Sequence, residues 1–171
     1  LGKPVAGGVP ASVWGFTEDV ARRLDEVRTQ TPPGHSGMGT TLSANALSLA
    51  AMRATLEQVM TPAAYRSMDA LAAQLAAGLQ GVIEAQGLPW HVVRVGARVE
   101  FICAPGPLRN GSEAEAAHAP ALERTVHLAL LNRGCLIAPF HNMMLACPAT
   151  TSEQVGQLQT AFADVVAALR A

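Results

Sequence analysis

The spacing of apolar residues changes near residue 90, and this change limits the folds open to the second half of the chain. Thr61-Pro62 suits the start of a helix, and apolar residues then recur at helical spacing to about residue 86. From Val93 to Cys103 they alternate instead, which is typical of a half-buried strand or hairpin. Helices and strands in this order predict an α+β domain with helices covering one face of a largely antiparallel sheet.

The same signals predict the remaining elements. The alternation assigns Val93, Val95, Val99 and Phe101 to one sheet face and Arg94, Arg98 and Glu100 to the other. We expect a buried strand at 11–16, helices at about 17–28, 43–60 and 120–132, two short strands within 133–139 and 143–150, and a final helix opened by the capping box Thr151-x-x-Gln154. A domain boundary near residue 60 divides the chain into 1–60 and 61–171.

Composition excludes several classes of function. The 171 residues are 50% hydrophobic, enough to form the core of one domain or parts of two. A net charge of −1 with 15% charged residues predicts no nucleic-acid or anionic-membrane partner, and charges interrupt every apolar stretch that might span a bilayer. Three cysteines without CxxC spacing predict buried free thiols, and the scattered histidines predict no metal site.

Lys3 is the only lysine in the chain, and it lies in a nearly uncharged, glycine-rich stretch ending at Pro10. Apolar surroundings depress the pKa of a lysine, and its neutral amine then condenses with an aldehyde to form a Schiff base. The alternative is an ordinary solvated lysine. Gly7 and Gly8 favour a tight turn that a bulky cofactor can approach closely.

A second candidate site is the stretch Gly37–Leu47, where glycines and hydroxyls run into an alanine-rich helix. Backbone N–H groups and hydroxyls at a helix start can hold a phosphate, aided by the positive end of the helix dipole. The alternative is an ordinary N-cap in which Ser43 or Thr41 satisfies the first helical turn.

Taken together, the two segments resemble class III (fold type I) pyridoxal-phosphate-dependent aminotransferases, including the glutamate-1-semialdehyde aminomutases. That family carries its cofactor lysine in a Gly-Lys-x-x-x-Gly-Gly-x-Pro pattern, matched here by Gly2, Lys3, Gly7, Gly8 and Pro10. The resemblance makes Lys3 the expected Schiff-base lysine. It also implies the fold, an α/β transferase of which this chain is the C-terminal portion, with the end of the large domain followed by the α+β small domain.

The resemblance extends to a Gly-Thr-(Leu or aromatic)-(Ser or Gly)-Gly-Asn-Pro motif whose threonine reaches the cofactor phosphate of the neighbouring subunit. Thr41 matches that threonine, and Gly39 and Thr40 are expected beside it at the phosphate. Thr40 and Ala44 replace the two glycines of the motif, and Ala46 replaces its proline. A shared active site implies a homodimer.

The C-terminal segments 133–139 and 143–150 look like the last two strands of the family. Several relatives carry an arginine for the substrate α-carboxylate there, where this chain has Leu145. His141 and Asn142 lie between these segments, at an edge that faces the active site in relatives, so substrate contact is expected beside the alternative of a solvated turn. Trp14 is expected either to line the pocket or to pack in the core.

The resemblance implies a cytoplasmic enzyme that uses pyridoxal 5′-phosphate to move an amino group from an amino acid or amine donor to a keto or aldehyde acceptor. A 2,1-aminomutase is the alternative, and a non-catalytic assembly or regulatory relative is the alternative from another class. Most of the family's cofactor contacts precede the lysine, so we expect these residues to be the C-terminal part of a longer polypeptide.

Overall fold

The computed structural model describes residues 1–2, 4–34, 39, 41–139 and 141–169. The chain divides into two compact units, Leu1–Thr61 and Pro62–Ala171. The first contains α1 (Glu18–Thr29) and α2 (Ala46–Gln58). The second contains, in chain order, α3 (Pro62–Ala85), β1 (His91–Val95), β2 (Arg98–Ile102), α4 (Gly111–Ala116), α5 (Pro120–Leu131), β3 (Met143–Leu145) and α6 (Ser152–Ala168).

The first unit is built around a looped N-terminal segment and α2. Val5 and Ala6 of that segment are buried, each 2% exposed. Helix α1 follows Thr17, which is the predicted cap position although its side chain makes no capping hydrogen bond. No residue of α1 is buried within the chain.

The predicted buried strand at 11–16 is wrong. This segment has no regular secondary structure, and Val13, Trp14 and Phe16 are exposed. The rings of Trp14 and Phe16 instead contact each other, with centroids 5.3 Å apart. An apolar run predicts burial but does not supply the pairing strand that a β conformation needs.

The second unit is an antiparallel sheet of order β1-β2-β3 packed against helices, which confirms the predicted α+β architecture. Helix α3 packs on β1, β2 and α6, and α5 packs on α6. The core takes residues from every layer, with Phe101 of β2 and Phe162 of α6 both fully buried and their ring centroids 4.9 Å apart. The capping box at Thr151 and Gln154 is present in full.

The hairpin of β1 and β2 corrects the predicted sheet faces. Val95 pairs with Arg98 across a two-residue turn at 96–97, so odd-numbered residues of β1 lie opposite even-numbered residues of β2. Val99 and Phe101 are buried, whereas Val93 and Val95 share the other face and are exposed. After a two-residue turn, even-numbered residues lie on the sheet face that odd-numbered residues occupied before it. An alternation counted straight through the turn therefore assigns the residues of one strand to the wrong face.

The region between α5 and α6 also differs from the prediction. Segment 133–139 is not a strand, and β3 covers only Met143–Leu145, although the N–H of Ala138 donates to the carbonyl of Met143 at 3.1 Å. Helix α4 was not predicted, because its six residues are too few for a periodic signal. The free thiols are only partly covered: Cys103 and Cys135 are half-buried and Cys147 is exposed.

Among the described residues, no helix combines the length and apolar character needed to cross a membrane.

Candidate cofactor and substrate site

The N-terminal segment that carries Lys3 is closed into a loop by its own backbone. The backbone nitrogen of Leu1 donates to the carbonyl of Val13 at 2.8 Å. The N–H of Val13 donates in turn to the carbonyl of Leu1, also at 2.8 Å. Between them, Val5, Gly7 and Val9 each donate to the carbonyl three residues earlier. Lys3 itself lies outside the described residues.

The paired glycines of this loop adopt the left-handed backbone that its turns require. Gly7 has φ +60° and Gly8 has φ +97°, a region that other residues enter only with strain. Nothing lies within 4 Å of a Cβ placed on Gly8, so this side of the loop is open to an approaching group. Both glycines therefore adopt backbone conformations that suit tight turns, in the loop where the sequence predicted one.

The N-terminus of α2 is capped by Asn45, which corrects the prediction that Ser43 or Thr41 fills that role. Its side-chain oxygen accepts from the N–H of Ser48 at 2.9 Å, and its amide nitrogen donates to the carbonyl of Leu42 at 3.0 Å. The helix consequently begins at Ala46 rather than near Ser43. Asparagine is among the most favoured N-cap residues.

Residues 41–44 form a turn directly before this cap. Thr41 is exposed, so its hydroxyl is accessible to a ligand, and Gly39 is exposed near Ser43, whose Oγ would lie 3.7 Å from an added Cβ. Thr40 lies outside the described residues. Ala44 has φ +55°, which explains why the family motif places glycine there.

The proline that the motif places at position 46 is also understandable from the geometry. Ala46 is the first residue of α2, where the missing N–H of a proline is tolerated. The preceding residue, Asn45, has φ −65° and ψ 149°, which is compatible with a following proline. The replacement of proline by alanine therefore leaves the helix start intact.

An open groove of about 1250 Å³ lies between the lysine loop and the start of α2. Gly2 and the segment from Gly8 to Trp14 form one side, and residues 42–45 with the first turns of α2 form the other. Trp14 lines this groove and is 58% exposed. The structure thus brings together the flank of Lys3, Trp14 and the residues that follow Thr41.

His141 and Asn142 belong to the second unit, where they form a turn before β3. Both have left-handed backbone, at φ 60° and 44°, which is uncommon for residues other than glycine. Asn142 is 5% exposed, and its amide nitrogen lies 3.5 Å from the carbonyl of Phe101. Asn142 is therefore a buried support of this turn, which contradicts the solvated-turn alternative.

His141 lies beside two side chains that the sequence did not single out. Its ring centroid is 5.6 Å from that of His118, whose Nδ1 is 3.5 Å from a carboxylate oxygen of Glu123. The same oxygen accepts from the N–H of Ala119 at the start of α5. His118, Glu123 and His141 border a cleft of about 90 Å³, and no local sequence signal links His141 to the other two because it lies beyond the end of α5.

Leu145 pairs with Arg98 across β2 and β3 and is exposed. The Arg98 guanidinium forms an ion pair with Glu100 on its own strand. Arg94 pairs with Val99 and so lies on the opposite sheet face from Arg98, which corrects the prediction that the two arginines share a face.

The pKa values of two cysteine thiols are shifted in opposite directions. Burial raises the pKa of Cys103 to about 12, and the Glu123 carboxylate adds to this effect. The Thr150 hydroxyl donates to the Cys147 sulfur at 3.4 Å and lowers the pKa of that thiol, aided by backbone N–H groups. In the part of the chain that the structure describes, no three His, Cys, Asp or Glu side chains are grouped where they could hold a metal ion.

Comparison with known proteins identifies the family. No protein-family model matches the chain. Glutamate-1-semialdehyde 2,1-aminomutase of Thermomicrobium roseum is 34% identical over 139 residues, which are 81% of this chain and 31% of that protein. The crystal structure of a glutamate-1-semialdehyde-aminomutase from Pseudomonas aeruginosa PAO1 matches with a TM-score of 0.92 and 49% identity, over 98% of this chain and 38% of that one.

The chain belongs to the class III pyridoxal-phosphate-dependent aminotransferase family. An omega-transaminase from Sphaerobacter thermophilus has the same fold, with a TM-score of 0.78 and 27% identity over 99% of this chain and 38% of that one. This confirms the predicted fold as a C-terminal portion of a fold type I transferase. The chain spans about a third of the length of the curated class III relatives that it matches.

Proposed function

We propose that this chain is the lysine-bearing C-terminal part of a pyridoxal-phosphate-dependent aminotransferase. In this proposal, residues 1–60 end the large cofactor-binding domain and 61–171 form the small domain. The observation that carries the proposal is the match over 98% of the chain, at 49% identity, to an aminomutase of this family. A second structure of that enzyme, in which one lysine is replaced by alanine, is a complex with PMP, and it matches this chain at 48% identity.

The residues around the groove fit pyridoxal 5′-phosphate. Lys3 would hold the cofactor covalently, and Thr41, with Thr40 and Gly39, would hold the phosphate of the cofactor bound to the other subunit. The exposed Thr41 hydroxyl before a capped helix start suits an anion, and the open side of the loop at Gly8 leaves room for a ring. When bound, the cofactor supplies an aldehyde that condenses with amines and a ring that accepts an electron pair.

Lys3 has two tasks in this proposal. Its amine would hold the cofactor covalently until an amino substrate takes its place. Once released, Nζ would be able to remove a proton from the reacting carbon and return it at a neighbouring atom. Nearly uncharged surroundings, with no other lysine in the chain, favour the neutral amine that both tasks require.

Borohydride reduction of the full-length protein with pyridoxal phosphate tests this assignment. We expect the cofactor mass on the peptide that contains Lys3, and an absorbance change when amines are added. Lys3→Arg keeps the positive charge but cannot condense with an aldehyde, so it should carry no adduct. A folded, cofactor-saturated wild-type protein without an adduct at Lys3 would contradict the proposal and favour a non-catalytic assembly or regulatory role.

We further propose a homodimer in which Thr41 contacts the cofactor phosphate held by the other subunit. Complementation tests it, because co-expressed Lys3→Arg and Thr41→Val chains form mixed dimers in which one site carries both defects and the other carries neither. Random pairing should leave about one quarter of all sites intact. If Thr41 served its own subunit, every site would carry one defect and activity would stay at the level of the single variants.

The second candidate function is a 2,1-aminomutase, favoured by the names of the curated relatives. An aminomutase returns the amino group to the neighbouring carbon of the same molecule, whereas an aminotransferase passes it to a second substrate. Incubating the enzyme with an isotopically labelled amino donor and an unlabelled acceptor separates the two. Label in the acceptor supports the aminotransferase, and label confined to an isomer of the donor supports the aminomutase.

The remaining parts of the proposal concern partners and location. The partners are a small amino donor and a keto or aldehyde acceptor, with no nucleic-acid or membrane partner. Of the expected substrate contacts, His141 and Trp14 are exposed, whereas Asn142 is buried and would support the turn that carries His141. The enzyme is proposed to act in the cytoplasm. Subcellular fractionation with an antibody to the full-length protein tests the location.

A further inference from the structure

A buried hydroxyl on α2 links two parts of the candidate site. Ser48 is 7% exposed, and its Oγ donates to the carbonyl of Pro10 at 3.0 Å. The amide of Asn45 donates to the same Oγ at 2.9 Å and to the carbonyl of Leu42 at 3.0 Å. A hydrogen-bonded chain therefore runs from Leu42 in the phosphate turn, through Asn45 and Ser48, to Pro10 at the end of the lysine loop.

Each group in this chain has a defined partner. A serine hydroxyl has one hydrogen to donate, and here that hydrogen goes to Pro10, while the lone pairs accept from Asn45. Because Ser48 is buried, losing its hydroxyl leaves the Pro10 carbonyl and the Asn45 amide without this partner, and water has little access to replace it. The bond spans 38 residues of sequence, so it is a tertiary contact and not part of the helix itself.

A second contact supports the same arrangement. A Cβ placed on Gly7 would lie 3.2 Å from the Thr55 hydroxyl, two helical turns beyond Ser48, so the loop packs closely along α2. Val5 and Ala6, which follow Lys3 closely in sequence, are buried. The loop therefore contacts α2 near Ser48 and again near Thr55. Ser48 provides the hydrogen bond between the loop and the helix.

Resting on the function proposed above, we propose that Ser48 is a positioning residue that holds the Lys3 loop in register with the phosphate turn. In the proposed homodimer each site takes Lys3 from one subunit and Thr41 from the other, so the separation of these two cofactor contacts depends on how firmly each segment is held against its own α2. Small displacements of a reacting group cost large factors in rate and affinity. Ser48 acts through Pro10 and Asn45, because its hydroxyl is already hydrogen-bonded to both.

The test uses the full-length protein with Ser48→Ala, and Ser48→Cys as a variant of nearly the same volume whose thiol is a weak donor. Thr125→Ala is the matched control, because it removes a helical hydroxyl that bonds only within α5. In protein without cofactor, we expect the amides of Val5, Gly7 and Val9 to exchange hydrogen about 10-fold faster in both Ser48 variants. In cofactor-loaded protein, release of pyridoxal phosphate should be about 10-fold faster, with Thr125→Ala unchanged in both measurements.

The outcomes separate this inference from the proposed function. If wild-type protein retains pyridoxal phosphate and both Ser48 variants release it at the wild-type rate, Ser48 is not a positioning residue while the proposed function stands. Faster amide exchange without faster release reduces Ser48 to a structural contact and also overturns the inference. A wild-type protein that never binds pyridoxal phosphate overturns the proposed function and the positioning role together.

Discussion

The imidazole of His91 lies directly against the backbone of Gly106. A Cβ placed on Gly106 would be 2.4 Å from Cγ and Cδ2 of His91, closer than real Cβ contacts allow. The ring is also held by a hydrogen bond, because its Nδ1 lies 2.7 Å from the carbonyl oxygen of Ala104. His91 begins β1, so its backbone position is set by the sheet and the ring has little freedom to withdraw.

Gly106→Ala is therefore expected to destabilise the protein. Forcing a methyl group against a fixed ring costs about 1–3 kcal/mol in the free energy of unfolding. Gly81→Ala is the matched control, because nothing lies within 4 Å of its added Cβ and alanine favours a helix interior by about 0.5–1 kcal/mol. Urea denaturation of the full-length protein measures both, and equal stability of the two variants would contradict the packing described.

The opposite substitution, alanine to glycine at position 44, is expected to stabilise the protein. The φ of Ala44, +55°, places a Cβ in the left-handed region, at a cost of about 1–2 kcal/mol, and part of this is recovered by glycine. Ala44→Gly should raise the free energy of unfolding by up to about 1 kcal/mol. Gly39→Ala on the other side of the same turn has no such backbone and should not show a gain. A loss of stability in Ala44→Gly would mean that the turn is not left-handed at this residue.

The thiols should differ in reactivity. The thiolate is the nucleophile in alkylation, so a raised pKa slows the reaction at a given pH and a lowered pKa speeds it. At pH 8, Cys147 should therefore react with iodoacetamide at least about 10-fold faster than Cys103. Peptide mass mapping over time measures the rates, and Thr150→Val should slow Cys147 by removing the hydroxyl that lowers its pKa. Comparable rates at the two sites would refute the assignment.

His141 offers a test of the proposed substrate contact. Its left-handed backbone suits glycine, so His141→Gly should leave the free energy of unfolding unchanged or raise it by up to about 1 kcal/mol. If the imidazole binds the amino donor, KM should rise about 10-fold or more. His118→Gln is the companion variant, because it alters the neighbour of His141 without changing the turn. A variant with wild-type KM would exclude a substrate role for His141.

The helices were the most predictable part of the fold. Helix α3 begins at the Pro62 that marked it, and α6 begins with the capping box read from Thr151 and Gln154. These signals are local, since a cap and an apolar stripe lie within a few residues of each other. The start of α2 was less predictable because the sequence favoured Thr41 or Ser43 as the cap, whereas Asn45 fills that position.

The strands were predicted less well, for a related reason. The apolar run at 11–16 resembles a strand, but only Val13 finds a backbone partner there, and that partner is Leu1. In the hairpin, the residues were assigned to strands correctly, whereas the faces depended on the position of a two-residue turn at 96–97. Strand pairing joins distant residues, so a local pattern cannot determine it.

Parts of the candidate site were also predictable from the sequence, and parts were not. The residue types and spacing around Lys3 and Thr41 were sufficient to indicate the family, because they match its motifs at most positions. Only the tertiary structure decided that Trp14 lines a groove and that Ser48 joins the two loops. It also showed that His118 and Glu123 lie beside His141. Those relationships depend on distances between segments far apart in the chain, and such distances exist only once the helices and the sheet have packed.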